Sequence, residues 1–159
     1  MIRTLWRGLL AGAVGTVAIN MATYVDMALR GRPSSNAPAQ MASKLASMAH
    51  LPLSQHDSGA EDETAQHRAS GLGALLGYVN GLGMGVIYGV LRSQSDEICL
   101  PLAGTLVGLA AMAASDVPLA LLKVSNPKTW KAADWLADLI PHLIYGCVTV
   151  VLYEDLIEQ

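Results

Sequence analysis

The sequence predicts an all-α fold, a bundle of four membrane-crossing helices with a short amphipathic helix in the first loop. Three observations predict it. Only 14% of the 159 residues are charged and 52% are hydrophobic, whereas an ordinary soluble domain carries roughly 25% charged residues. The charges are also bunched, with none between Arg7 and Asp26, Arg68 and Arg92, Glu97 and Asp116, or Asp138 and Glu154. Each gap sits in an apolar run close to the roughly 20 residues that cross a bilayer core. Third, "GALLGYVNGLGMGVIYG" places a glycine at every fourth position, at Gly73, Gly77, Gly81, Gly85 and Gly89. In water each would cost about 1 kcal/mol relative to alanine in a helix interior. Between lipid-embedded helices the same residues let two backbones approach, because close packing replaces the hydrophobic drive.

The first span is read at 5–29. Arg3 and Arg7 ahead of "GLLAGAVGTVAI" also have the form of a signal peptide, but the apolar run continues through "MATYVDMAL" to "RGRP", which reads as a helix end. Gly8 and Gly12 form a short packing stripe in this span. In the following loop, Asn36 as a cap, Pro38 in the first turn, and Met41, Leu45 and Met48 at helical spacing predict an amphipathic helix over 36–50. Such a helix lies on the membrane surface or covers the mouth of the bundle. Residues 54–67 read as an acidic linker, and His50, His56 and His67 lack ligand spacing.

The glycine-rich span is read at 69–91, the third at 98–122 and the fourth at 134–153, all in one membrane domain. Gly104 and Gly108 repeat the small-residue stripe in the third span. Before the fourth, Asn126 and Pro127 form a cap and first-turn pair, with Trp130 and Trp135 at interface depth. Pro118 and Pro141 free the carbonyls of Ala114 and Ala137, which then want polar partners. "LAG" opens both Leu10–Gly12 and Leu102–Gly104, and each run later meets an aspartate, Asp26 or Asp116. These parallels suggest a parallel 2+2 repeat. Cys99 and Cys147 are read as buried free thiols.

Ionisable groups within spans are expensive and usually face protein or a water-filled cavity. Asp26, Asp116, Asp138 and His142 gather toward the end carrying the two basic loops, and Asp134, Asp138 and His142 share a helix face. These four form a candidate proton- or ion-handling site, with Asn20, Asn80 and Tyr145 lining the deeper part. The structural alternative pairs Asp26 and Asp116 with Arg30, Arg32 or Lys123, and leaves His142 as a cross-bundle hydrogen bond. A metal at this cluster is left open. No HExxH, GxSxG or phosphate-cradling loop is present, so an enzyme is the less favoured reading. A non-catalytic scaffold or packing subunit that binds through its glycine stripe is the alternative function.

"TYVDMALRGRP", "GLGALLGYVNGLGMGVIYGVLR" and "SDVPLALLKVSNPKTWKAADWLADLIPHLIYG" together resemble an uncharacterised family of small bacterial, largely actinobacterial, four-span membrane proteins. Span number and a basic, proline-containing first loop give a looser likeness to YagU-type inner-membrane proteins. The resemblance implies a helical bundle in the bacterial cytoplasmic membrane and interest in Asp26, Asp116, Asp138 and His142, without an activity. The expected partners are the lipid bilayer and a second membrane-embedded chain, of the same or another kind. Nucleic acid and cofactors are not expected. Seven basic residues in segment 30–68 and the third connection, against three on the other side, place both termini outside by the positive-inside rule.

Overall fold

The computed structural model describes residues 1–51, 53, 63–95 and 98–158. The described residues form five α-helices: α1 (Ile2–Arg30), α2 (Ala37–Met48), α3 (Glu63–Arg92), α4 (Leu100–Leu121) and α5 (Ala132–Glu158), with a 3-10 turn at Pro127–Thr129. All but α2 are long and apolar enough to cross a membrane. The 22 residues of α4 span about 33 Å at roughly 1.5 Å per residue, matching a hydrocarbon core of about 30 Å.

Three boundaries differ from the sequence expectation for physical reasons. The first 29-residue helix ends where Gly31 takes a left-handed conformation, φ 62°, which glycine adopts without penalty. Helix α3 begins at Glu63 rather than 69, so 63–67 belong to it and only 54–62 of the predicted linker, with His56, lie outside the described residues. Glu63 in its first turn suits the positive end of the helix dipole, so the polar start extends a helix whose membrane part is apolar. Helix α5 continues past 153 to Glu158, and Glu154 within this extension is tied to Arg92 of α3.

Burial is inverted relative to a protein in water. Large apolar side chains face outward, with Trp6 63%, Val79 68% and Leu121 77% accessible, while Ala11, Thr16 and Thr149 are buried. An apolar perimeter of this extent is stable against acyl chains and unstable against water. Both cysteines are free and exposed rather than buried, Cys147 on the same apolar perimeter as Val151.

Helix α1 packs along both α3 and α5, α4 packs along α5, and α2 lies on α3. Glycines set the two closest crossings. A Cβ at Gly8 would stand 2.7 Å from Gly85 O and 2.8 Å from Val86 Cα, and one at Gly12 would stand 2.7 Å from Gly81 O. On the other pair, a Cβ at Gly104 would stand 2.9 Å from Cys147 Cα, and one at Gly108 2.6 Å from His142 O. The facing glycines answer alike: Gly85 abuts Gly8 O and Gly12 Cα, and Gly146 abuts Gly104 O and Gly108 Cα. Atom for atom, the α1–α3 crossing is repeated by α4–α5.

This repetition is the parallel 2+2 arrangement, in a register different from the one "LAG" suggests. Gly8 and Gly12 correspond to Gly104 and Gly108, and Gly81 and Gly85 to His142 and Gly146. Asp116 therefore corresponds to Asn20, not to Asp26. Backbone approach, which only the glycines report, fixes the register; the three-letter similarity does not.

The glycine stripe on α3 serves several neighbours because positions four apart drift around a helix of 3.6 residues per turn. Gly73 meets the backbone of Pro38 and Ala39 in α2, Gly81 meets Thr16, Gly85 meets Gly8 and Gly12, and Gly89 meets Tyr153 and Thr4. Gly77 meets nothing within 4 Å, so it is not a packing glycine as the spacing suggested. Helix α2 thus docks on the start of α3, burying Ala42 and Ala46. It does not cap the bundle centrally.

Candidate functional site

The α4–α5 crossing positions the site. Beyond the glycine contacts, the row Gly104, Gly108 and Met112 on α4 continues to Asp116. The antiparallel row on α5 runs from Gly146 through His142 to Asp138. Because the glycines hold the two backbones together, the side chains at the open end of the crossing meet. Asp116 and Asp138 are electrostatic neighbours on the facing helices, and His142 is near both. Asp116, Asp138 and His142 are all partly buried.

His142 is oriented at both ring nitrogens. Nδ1 lies 2.8 Å from the Asp138 carbonyl oxygen and 3.4 Å from Asp138 Oδ1. A donor at Nδ1 suits both oxygens, which assigns the proton of the neutral ring to Nδ1. Nε2 lies 3.4 Å from Ser115 Oγ, whose single hydroxyl proton has two other acceptors within reach, the carbonyls of Ala111 at 3.0 Å and Met112 at 3.1 Å. The Asn80 amide donates to the same Ala111 carbonyl at 3.2 Å, from α3. Asp138 Oδ2 is buried and finds no hydrogen-bond partner among the described residues.

Asp26 is elsewhere. Its carboxylate accepts from Arg30 Nε at 2.9 Å and is paired with Arg32 as well, so the structure brings together three of the four predicted site residues and leaves Asp26 at a helix end. The two arginines, helped by hydrogen bonding, hold this residue as a carboxylate in a basic turn. Asp134 caps the start of α5, accepting from the Lys131 amide at 2.9 Å. Asn20 is half-buried on the α1 row that contains Gly12 and Thr16.

Tyr145 does not line an open cavity. It is 1% accessible, and its hydroxyl donates to Gly81 O at 2.6 Å. Eight residues on, Tyr153 donates to Gly89 O at 3.0 Å. Equal spacing on two parallel helices gives a pair of rungs between α5 and α3. Space for Tyr145 and for the Thr149 hydroxyl comes from Gly15, where a Cβ would stand 2.9 Å from the Tyr145 ring.

Sequence reasoning missed Ser115, whose signal was its position beside Asp116 in "SDVP". It also missed the group at the opposite end. There Glu154 Oε1 accepts from Tyr88 Oη at 2.6 Å and from Arg92 Nε at 2.9 Å, and the Tyr88 and Tyr153 rings meet edge-on with centroids 5.3 Å apart. Nothing in spacing links residues more than 60 positions apart, so only the helix packing reveals this group. Among the described residues, no group of three His, Cys, Asp or Glu side chains is arranged to hold a metal ion.

No protein family, curated protein or solved structure matches the chain. The chain is a multi-pass, helical integral membrane protein by the length and apolarity of its four spans.

Proposed function

We propose that the protein transfers protons through the Asp116–Asp138–His142 cluster. The observation that carries this reading is the buried, unpartnered Asp138 Oδ2 beside His142, with Asp116 as a second carboxyl neighbour. Like charges brought near each other in a low-dielectric setting repel, and a proton between them relieves that repulsion. A proton shared with Asp116 would also give the buried Asp138 Oδ2 the donor it lacks. His142, adjacent to both, is the group whose intrinsic affinity suits exchange near neutral pH. The arrangement at Nε2 completes a short relay, because the Ser115 hydroxyl can accept from an imidazolium while donating to Ala111 O. A proton is favoured over a metal cation because the three side chains are not disposed as a ligand set.

The scaffold alternative draws less support from the glycine stripe. Four of its five glycines are engaged by α1, α2 or α5, and only Gly77 is open to another chain. The proposed setting is a bacterial cytoplasmic membrane, and the distribution of basic residues supports an orientation with the α2 end of the bundle inside and both termini outside.

Purified protein in liposomes with an entrapped pH-sensitive dye tests the proposal. Under an imposed pH gradient the parent protein is expected to move protons, Asp116→Asn and His142→Gln to lose at least tenfold of that flux, and Asp26→Asn to retain it. No flux from the parent, or flux indifferent to Asp116 and His142, overturns the reading.

A further inference from the structure

The two crossings that lack glycine clasps are not alike. Between α1 and α5, Gly15 lets Tyr145 and Thr149 approach. In the equivalent interface between α4 and α3, the position of Gly15 is taken by Ala111, which packs near Met84 and Tyr88. One methyl group and two long side chains hold these helices further apart, and a cavity of about 250 Å³ opens between them. Its wall is apolar, formed by Met84, Ile87, Leu91, Ala103, Val107 and Ala110.

Polar ties stand near both ends of this cavity. Toward the midplane, Asn80 reaches across to the Ala111 carbonyl, one turn from Met84 and Val107. At the end near the termini, Tyr88 and Arg92 bind Glu154, and Arg92 also donates to Ser95 O at 3.3 Å. The open side is the lateral one, between two spans, where the medium is hydrocarbon. An apolar void of this kind stays dry, and leaving it empty forfeits dispersion contacts along its lining. From Met84 to Arg92 it extends roughly 12 Å at about 1.5 Å per residue, close to the roughly 15 Å depth of one leaflet in a core of about 30 Å.

We infer that this cavity is a lipid site that takes one acyl chain of a bilayer phospholipid, entering sideways from the leaflet nearer the termini. The match rests on the dry wall, the polar groups near its two ends, the sideways opening and the one-leaflet depth. It is independent of proton transfer at the carboxylate pair, which lies beyond Asn80.

Photocrosslinking tests it. The full chain is reconstituted in phosphatidylcholine vesicles carrying a trace of phosphatidylcholine with a diazirine midway along one acyl chain, then irradiated, digested and mapped by mass spectrometry. Adducts on Met84 and the otherwise buried Val107 are expected at no less than the level seen on lipid-facing Val117. Narrowing the cavity by Val107→Phe, or by Ala110→Leu should that variant fold better, is expected to reduce Met84 adducts at least fivefold and leave Val117 unchanged. Adducts confined to the outer perimeter overturn the inference. So does rapid labelling of Val107→Cys by a charged, water-soluble methanethiosulfonate in a Cys99→Ser, Cys147→Ser background, since that outcome makes the cavity aqueous.

Discussion

At the scale of single residues, partners rather than residue type separate the aspartates. Asp26 has two guanidinium groups; Asp138 has a carboxyl neighbour and an orphan oxygen. A hydrophobic carbodiimide reacts with protonated carboxyl groups in apolar surroundings, so it is expected to label Asp116 or Asp138 and to spare Asp26; peptide mapping after dicyclohexylcarbodiimide treatment reads this directly. Tyr145→Phe removes the 2.6 Å bond to Gly81 O and keeps the ring. Interhelical hydrogen bonds within membranes contribute about 0.6 kcal/mol on average and up to about 1.7. A loss in that range, measured by denaturation from mild detergent into dodecyl sulfate, is the expected result; an unchanged midpoint would show that the rung is not a stabilising tie.

Among the helices, the glycines divide into those that touch backbone and those that do not. Gly146→Ala places a methyl against the Gly108 backbone, 2.7 Å from its Cα, and overpacking typically costs about 1–3 kcal/mol. Gly77→Ala meets open space and gains up to about 1 kcal/mol of helix propensity. Thermal melts in detergent are expected to fall for the first variant and to hold or rise for the second. The contrast also shows how much was legible in the sequence. Charge-free runs located all four spans, and four-residue spacing located the glycines, because both are consequences of solvent and helix period. Which glycines pack, and that Asp116 joins Asp138 while Asp26 does not, depends on the register of one helix against another. Register is decided by backbone approach between distant segments, which no local pattern records. The same reason hid the tie of Glu154 to Tyr88 and Arg92.

For the whole molecule, an even number of spans puts the two ends of the chain on one side. Reporter fusions at Met1 and after residue 158 are expected to read the same compartment, and a tag inserted beside Leu51 the opposite one; a split result for the two ends would contradict the four-span bundle. The repeated crossing carries a further consequence. Thr4 and Tyr153 both lie against Gly89, so the beginning of α1 and the end of α5 are neighbours, on the face where α3 hands over to α4. A circular permutant opened at residues 96–97, with the old ends joined by a short flexible link, would thread the α4–α5 hairpin first and α1–α3 second. It should reach the same native bundle, since neither hairpin needs the other to be synthesised before it.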